Sequence, residues 1–94
     1  MSDLTREQIL ARAAQAKRLM EDEILREAFK SAEAQMIVAI IKSEPPDTVL
    51  RENLYQGIQV LGMVQQYIKA LINSGKIAKV ELDNIAKLER PAAA

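Results

Sequence analysis

The residues of this chain best suited to bind a ligand are cations at helical spacing. Arg26 and Lys30 stand four residues apart, so one helical face would present both, and Arg12 lies further upstream. Guanidinium and ammonium groups hold phosphates through charge-assisted hydrogen bonds, and across a subunit boundary these three cations could form an anion site. The alternative is an ordinary solvated face on which they form ion pairs with Glu23, Glu27 and Glu33.

The chain has three aromatic rings on which a nucleotide base could stack: Phe29, Tyr55 and Tyr67. Phe29 lies on the apolar stripe of its predicted helix, so we expect it in the core. Tyr55 and Tyr67 fall outside the main apolar seam of theirs. Both remain open as stacking residues.

The densest carboxylates are Glu21, Asp22 and Glu23, with Glu27 one turn further on. A site for a hard metal ion is conceivable there. Acidic residues also suit the positive end of a helix, and this spacing favours a helix start with Asp22 as its N-cap. The chain has no Cys and no His, and no nucleophile–base pair or glycine-rich phosphate loop is recognisable. We therefore expect a protein that is not an enzyme and needs no cofactor.

The bulk composition narrows the partners. Lysine and arginine number 13, as do aspartate and glutamate, and a net charge of zero argues against binding to long nucleic acid. No apolar run approaches the length of a membrane span, and no secretion signal is recognisable, so an intracellular protein without a membrane partner is expected. Hydrophobic residues make up 49% of only 94 residues, which predicts that part of the apolar surface is covered by a partner.

Start and stop signals predict an all-α fold. Thr5 and Gln8 form a capping box for a first helix that reaches about Met20. A second helix runs from Asp22 to about Ser43, and its last turns, from residue 36 to 41, are apolar on every side. The two prolines at 45 and 46 then break the helix.

The third helix carries the clearest periodicity in the chain. It should start at Asp47 or Thr48 and end at Ser74, with Gly75 as its C′ residue. Its apolar seam has the 4-3 spacing of packed helices, and its members are Leu50, Leu54, Gly57, Leu61, Val64, Ile68 and Leu71. A second set falls outside that seam: Ile58, Val60, Met63, Tyr67 and Ile72.

No charged residue occurs between Glu52 and Lys69 of this helix, where the polar residues are amides. Amides are buried more cheaply than charges, so this part should be covered on more than one side, which requires a homo-oligomer. The amide face could form a subunit seam or line a central channel; the seam is favoured because buried amides commonly set register. Gly57 and Gly62 indicate either close helix approach or room for a ligand.

The predicted architecture is a short N-terminal helix, a long antiparallel helical hairpin and a short C-terminal helix over residues 81–88, assembling as a homo-oligomer. Residues 80–82 could alternatively be extended. We expect one domain over residues 1–90 and a disordered tail over residues 91–94.

Several segments give the chain a resemblance to a known family. They are RAAQAKRLMED at 12–22, LREAF at 25–29, PPD at 45–47, RENLY at 51–55 and NSGKIA at 73–78. Together they resemble the phage anti-CBASS nucleotide sponges, which are small helical-hairpin proteins. The resemblance implies a homohexamer in the host cell cytoplasm that sequesters cyclic di- or trinucleotide immune signals without cleaving them, and so antagonises antiphage signalling.

The resemblance also implies roles for particular residues. Arg26, the basic residue before Glu-Ala-Phe, would contact ligand phosphate, and Ala11 and Arg12 of the first helix would cover a base. A pocket on the symmetry axis near Tyr67 and Lys69 would suit a larger cyclic ligand. Sponges of this kind stack an aromatic residue of the first helix on a base, and this first helix has none. The alternative function is a structural or packaging-accessory protein of the phage particle.

Overall fold

The fold is all-α, as the sequence predicts. A computed structural model describes residues 4–89. Over that range the chain forms three helices and no strand: α1 (Arg6–Glu21), α2 (Glu23–Lys42) and α3 (Thr48–Glu89). The tail predicted to be disordered, residues 91–94, lies outside the described residues.

Local hydrogen bonds explain where α1 and α2 begin. The backbone N–H of Thr5 donates to Oε1 of Gln8 at 2.8 Å, and the N–H of Gln8 donates to Oγ1 of Thr5 at 3.1 Å, which confirms the capping box. Asp22 interrupts the helices with an extended backbone, and its Oδ1 accepts a hydrogen bond from the N–H of Leu25 at 2.8 Å. The prediction of Asp22 as the N-cap of α2 is therefore confirmed.

The five-residue turn between α2 and α3 is held by Arg51. Its guanidinium donates to Oγ of Ser43 at 3.0 Å and to the carbonyls of Glu44 and Pro45 at 2.7 and 2.9 Å. Asp47 accepts the backbone hydrogen bond of Arg51 at 3.1 Å, so it occupies the N-cap position before Thr48. Backbone carbonyls in the turn that have no helical partner are thereby hydrogen-bonded by a side chain only a few residues away.

The third helix is longer than predicted, and the separate C-terminal helix is wrong. We expected α3 to end at Ser74 with Gly75 as a left-handed C′ residue, yet α3 continues through Gly75 to Glu89. No glycine of the described chain has a positive φ. Gly75 is instead a buried residue in the middle of the helix, where a side chain would overlap Ala13 of α1. Its small size serves helix packing rather than helix termination.

The chain divides into two compact units: the central unit, Leu19–Tyr67, and the terminal unit, Met1–Arg18 with Ile68–Ala94. In the central unit, Met36 of α2 lies against Gly57 of α3, while Arg26 and Gln65 line the same pocket. Met36 follows Arg26 in α2, whereas Gly57 precedes Gln65 in α3. The two segments therefore run antiparallel.

The terminal unit packs α1 against the end of α3. Ala13 faces Gly75, and the Arg6 guanidinium forms an ion pair with Glu81 at 3.0 Å. These pairs also run in reverse order, so the segments are antiparallel. The buried hydrophobic residues of the described chain are all alanines of this unit: Ala13, Ala16 and Ala78. Small side chains let the two helices approach closely.

Large apolar side chains are not enclosed by a single chain. Among the described residues no large side chain is fully buried. The predicted α3 seam is only partly covered, and Leu50 and Val64 are 47% and 44% exposed. No helix within residues 4–89 is long and apolar enough to cross a membrane.

Candidate functional site

A pocket of about 230 Å³ lies within the central unit. Its lining combines apolar side chains, two cations, one ring and one amide: Leu19, Met20, Leu25, Arg26, Phe29, Lys30 and Gln65. Arg26, Phe29 and Lys30 come from three positions on one face of α2, because residues three and four apart on a helix are neighbours. Gln65 reaches the pocket from α3, since the two segments run antiparallel.

The helix start at Asp22 positions the cationic side of this pocket. The backbone N–H of Arg26 donates to the Asp22 carbonyl at 3.0 Å, and the Asp22 side chain holds the N–H of Leu25. These two bonds orient the first turn of α2, from which Leu25 and Arg26 project. On the other side of the break, the N–H of Asp22 donates to the Leu19 carbonyl at 3.2 Å, which ends α1 beside the pocket.

The cations of the pocket are not neutralised by carboxylates. The lining contains Arg26 and Lys30 but no Asp or Glu. Within residues 4–89, Arg26 and Lys30 form no salt bridge. Arg26 and Lys30 are both exposed, as on a solvated face, but neither forms an ion pair with Glu23, Glu27 or Glu33. Both cations can therefore accept an anion without first breaking an ion pair.

Phe29 is the ring of this pocket. It lies on the apolar stripe of α2, is half-buried as other large side chains of the chain are, and lines the pocket together with Arg26 and Lys30. Tyr55 and Tyr67, the rings that the sequence left open for stacking, are 58% and 60% exposed and do not line it. The ring that accompanies the cations is therefore Phe29. The spacing of Arg26, Phe29 and Lys30 on one helical face was the signal available in the sequence.

The remaining predicted site residues lie elsewhere. Ala11 and Arg12 are exposed on α1 in the terminal unit, and so is Lys69 on α3. In the antiparallel pairing of that unit Ala13 faces Gly75, so Arg12 is level with about residue 76. At 1.5 Å per residue Lys69 is then roughly 10 Å further along the helix. The terminal unit by itself does not bring Arg12 and Lys69 side by side.

Three lining residues besides the ring and cations were not predicted as site residues: Leu19, Met20 and Leu25. The amide of Gln65 was assigned only to an uncharged face.

The acidic cluster at 21–23 supplies the α2 cap, and no group of three or more potential ligands able to hold a metal ion occurs in the described part of the chain. The two glycines of the central unit differ: Gly57 approaches Met36 closely, whereas space is open around Gly62.

Comparison with known proteins adds no assignment: no protein-family model, curated protein or solved structure matches this chain.

The chemistry available to the pocket follows from its lining. Two unpaired cations can bind phosphate oxygens, an aromatic ring can stack on a base, and an amide can donate to and accept from a base edge. This set suits an anionic ligand that also carries a flat, partly apolar group.

Proposed function

We propose that this protein binds cyclic di- or trinucleotides and sequesters them without cleavage, in the cytoplasm of a host cell infected by phage. The observation that carries the proposal is the pocket beside the start of α2, with Arg26, Lys30 and Phe29 on one helical face and no carboxylate in its lining. A nucleotide combines the two features that such a lining recognises, namely phosphate charge and a stackable base. Capture of the signal would antagonise antiphage signalling.

Each residue of the pocket has a proposed role that follows from the chemistry of its side chain. Arg26 and Lys30 would bind phosphate, Phe29 would stack on a base, and Gln65 would hydrogen-bond the base edge. Under the same proposal Ala11 and Arg12 of α1 would cover a base. Tyr67 and Lys69 of α3 would contribute to a second pocket, on a symmetry axis, for a larger cyclic ligand.

The size of the pocket supports capture by an assembly. Small-molecule sites usually measure about 300–1,000 Å³, and this one measures about 230 Å³. A whole cyclic di- or trinucleotide would exceed this volume, so under the proposal a second copy of the chain would hold the rest of the ligand. We propose that the binding form is a homo-oligomer, with the hexamer implied by the family resemblance as the expected copy number.

The first experiment is a thermal-shift measurement with a panel of cyclic di- and trinucleotides. A ligand at 100 times its dissociation constant stabilises the folded protein by about 2.7 kcal/mol, which corresponds to a melting temperature raised by roughly 10–20 °C for a domain of this size. Chromatography of the recovered ligand should show it intact. The absence of a shift across the panel would reject the proposal.

Two variants then test the pocket itself. Arg26→Ala should weaken binding about 10- to 100-fold, because it removes a charge-assisted hydrogen bond worth roughly 1.5–3 kcal/mol. Phe29→Leu keeps the apolar volume and removes the stacking ring, with a similar loss. The control is Lys79→Ala, which removes an exposed cation of α3 outside the pocket. If Arg26→Ala retains the affinity of the control, the assignment of this pocket is wrong.

A structural role in the phage particle gives a different set of results. In that case the protein would be found in purified virions, and Arg26→Ala would leave assembly and infectivity unchanged. Native mass spectrometry of protein purified from infected cells separates the two functions directly, because a sponge retains a nucleotide and a particle protein does not.

A further inference from the structure

The side of α3 that faces away from α2 carries a regular stripe of uncharged residues. Within the central unit its members follow a 4-3-4-3-4 spacing, and we name them the outer stripe: Val49, Asn53, Gln56, Val60, Met63 and Tyr67. All six are exposed, and Val49, Val60 and Met63 retain 70%, 55% and 69% of their surface. Val49, Val60 and Met63 are therefore left largely uncovered by the chain's own α2.

The outer stripe is distinct from the seam that packs on α2. Gly57 and Gln65 mark the α2-facing side, through Met36 and through the pocket. With 3.6 residues per turn, the centre of the outer stripe lies about 80° around the helix from Gly57 and about 160° from Gln65. One face of α3 thus packs on α2 within the chain. A second face, with its own 3.5-residue period, does not pack on α2.

We propose that the outer stripe binds the outer stripe of a second copy of this chain, parallel and in register, as a coiled-coil seam. A 3.5-residue period keeps a stripe in contact with a partner helix along its length, and it has no use on a helix face that meets only solvent. In heptad terms Asn53, Val60 and Tyr67 are a positions, and Val49, Gln56 and Met63 are d positions. Glu52 is the one charged residue flanking the stripe, so charge does not direct it to a different partner.

The two amides favour the parallel, in-register arrangement. A buried amide needs a hydrogen-bonding partner, and in this arrangement Asn53 meets Asn53 and Gln56 meets Gln56 of the other copy. An antiparallel pairing can also match amides, by placing Asn53 opposite Gln56. That alignment leaves Met63 and Tyr67 beyond the end of the partner's stripe. Parallel pairing in register satisfies the amides and covers the whole stripe.

The exposed apolar and amide side chains together have the area that such an interface needs. Four apolar residues of the outer stripe and their neighbours Leu50 and Val64 are between 44 and 70% exposed. At on the order of 100 Å² each, they supply roughly 600 Å² per copy before the amides are counted, against about 800 Å² per partner in a standard-size interface. The amides Asn53, Gln56, Gln59 and Gln66, all exposed, supply the remainder.

The test compares two glutamate substitutions by sedimentation equilibrium. Met63→Glu would bury a charge in the seam and should weaken self-association about 100-fold or more. Ile41→Glu is the matched control, since Ile41 is 76% exposed on α2 and lies outside the stripe; it should associate like the original chain. A single-chain species at micromolar concentration for the unsubstituted protein, or unchanged association of Met63→Glu, would overturn the proposal.

A cross-linking experiment tests the orientation and does not depend on the folding of a glutamate variant. The chain has no Cys, so Met63→Cys introduces the only thiol. Parallel pairing in register brings the two Cα atoms of residue 63 within the roughly 7 Å that a disulfide spans, and oxidation should yield a covalent dimer. Ile41→Cys should give none. A monomer after oxidation of both Met63→Cys and Val60→Cys would refute the arrangement.

These outcomes are separate from those of nucleotide binding. Met63 does not line the pocket, so self-association through the outer stripe can be established for a protein that binds no nucleotide. If Met63→Glu associates unchanged while nucleotide binding is retained, the outer stripe is not the subunit interface and the proposed function still stands.

Discussion

Alanine substitution of the three glycines of α3 should have three different effects, because the surroundings of each glycine differ. A Cβ atom at Gly62 would meet nothing within 4 Å, whereas one at Gly57 would lie 3.0 Å from Sδ of Met36. One at Gly75 would overlap Cβ of Ala13. All three lie inside the helix, where replacing Gly with Ala by itself stabilises by about 1 kcal/mol.

Whether the added Cβ atom meets a neighbouring side chain decides if each substitution raises or lowers the free energy of unfolding. Gly62→Ala should raise the free energy of unfolding by about 1 kcal/mol. Gly57→Ala should change it little, since the end of a flexible methionine can move. At Gly75 the obstacle is the short side chain of Ala13 next to its backbone, so α1 and α3 must separate around a core of alanines. Overpacking typically costs about 1–3 kcal/mol, so we expect a net loss of up to about 2 kcal/mol after the helix-propensity gain.

The assay is chemical and thermal unfolding followed by circular dichroism, at one fixed protein concentration because association would shift the transition. The Gly62 and Gly75 variants should differ by about 1–3 kcal/mol, or roughly 5–25 °C in melting temperature. The matched control is Gly75→Ala combined with Ala13→Gly, which moves the single Cβ from one helix to the other. The double variant should be more stable than the sum of the two single effects. If Gly75→Ala stabilises as much as Gly62→Ala, the close approach of α1 and α3 is wrong.

Two further predictions concern the ends of α2. Arg51→Ala removes three hydrogen bonds from the turn at residues 43–45 and should lower the free energy of unfolding by about 1–3 kcal/mol. Arg51→Lys should restore less than half of that loss, since one ammonium cannot reproduce the guanidinium fork. Equal stability of Arg51→Ala and the original chain in urea would contradict this prediction. Asp22→Ala removes the N-cap side chain and should lower the free energy of unfolding by about 1 kcal/mol, whereas Asp22→Asn should lower it by only a few tenths. If thermal melts followed by circular dichroism do not separate the two variants, the cap contributes little.

Features decided by neighbouring residues were predictable from the sequence. The capping box of Thr5 and Gln8, the N-cap Asp22 and the break at Pro45 are all confirmed, because each depends on hydrogen bonds or steric limits within about four residues. The all-α class and the starts of the three helices follow from the same local rules. The cations Arg26 and Lys30 could likewise be placed on one face, since helical periodicity alone brings them together.

Features decided by contacts across the chain were not predictable. Gly75 has the sequence context of a helix end, with Asn73 and Ser74 before it, but its backbone stays helical and it packs against Ala13, about sixty residues earlier. Phe29 lies on an apolar stripe in the sequence, yet the neighbouring residues of α3 leave its ring at a pocket with Gln65. Helical periodicity states which residues share a face. Only the tertiary structure decides which face is covered, because coverage depends on where distant helices pack.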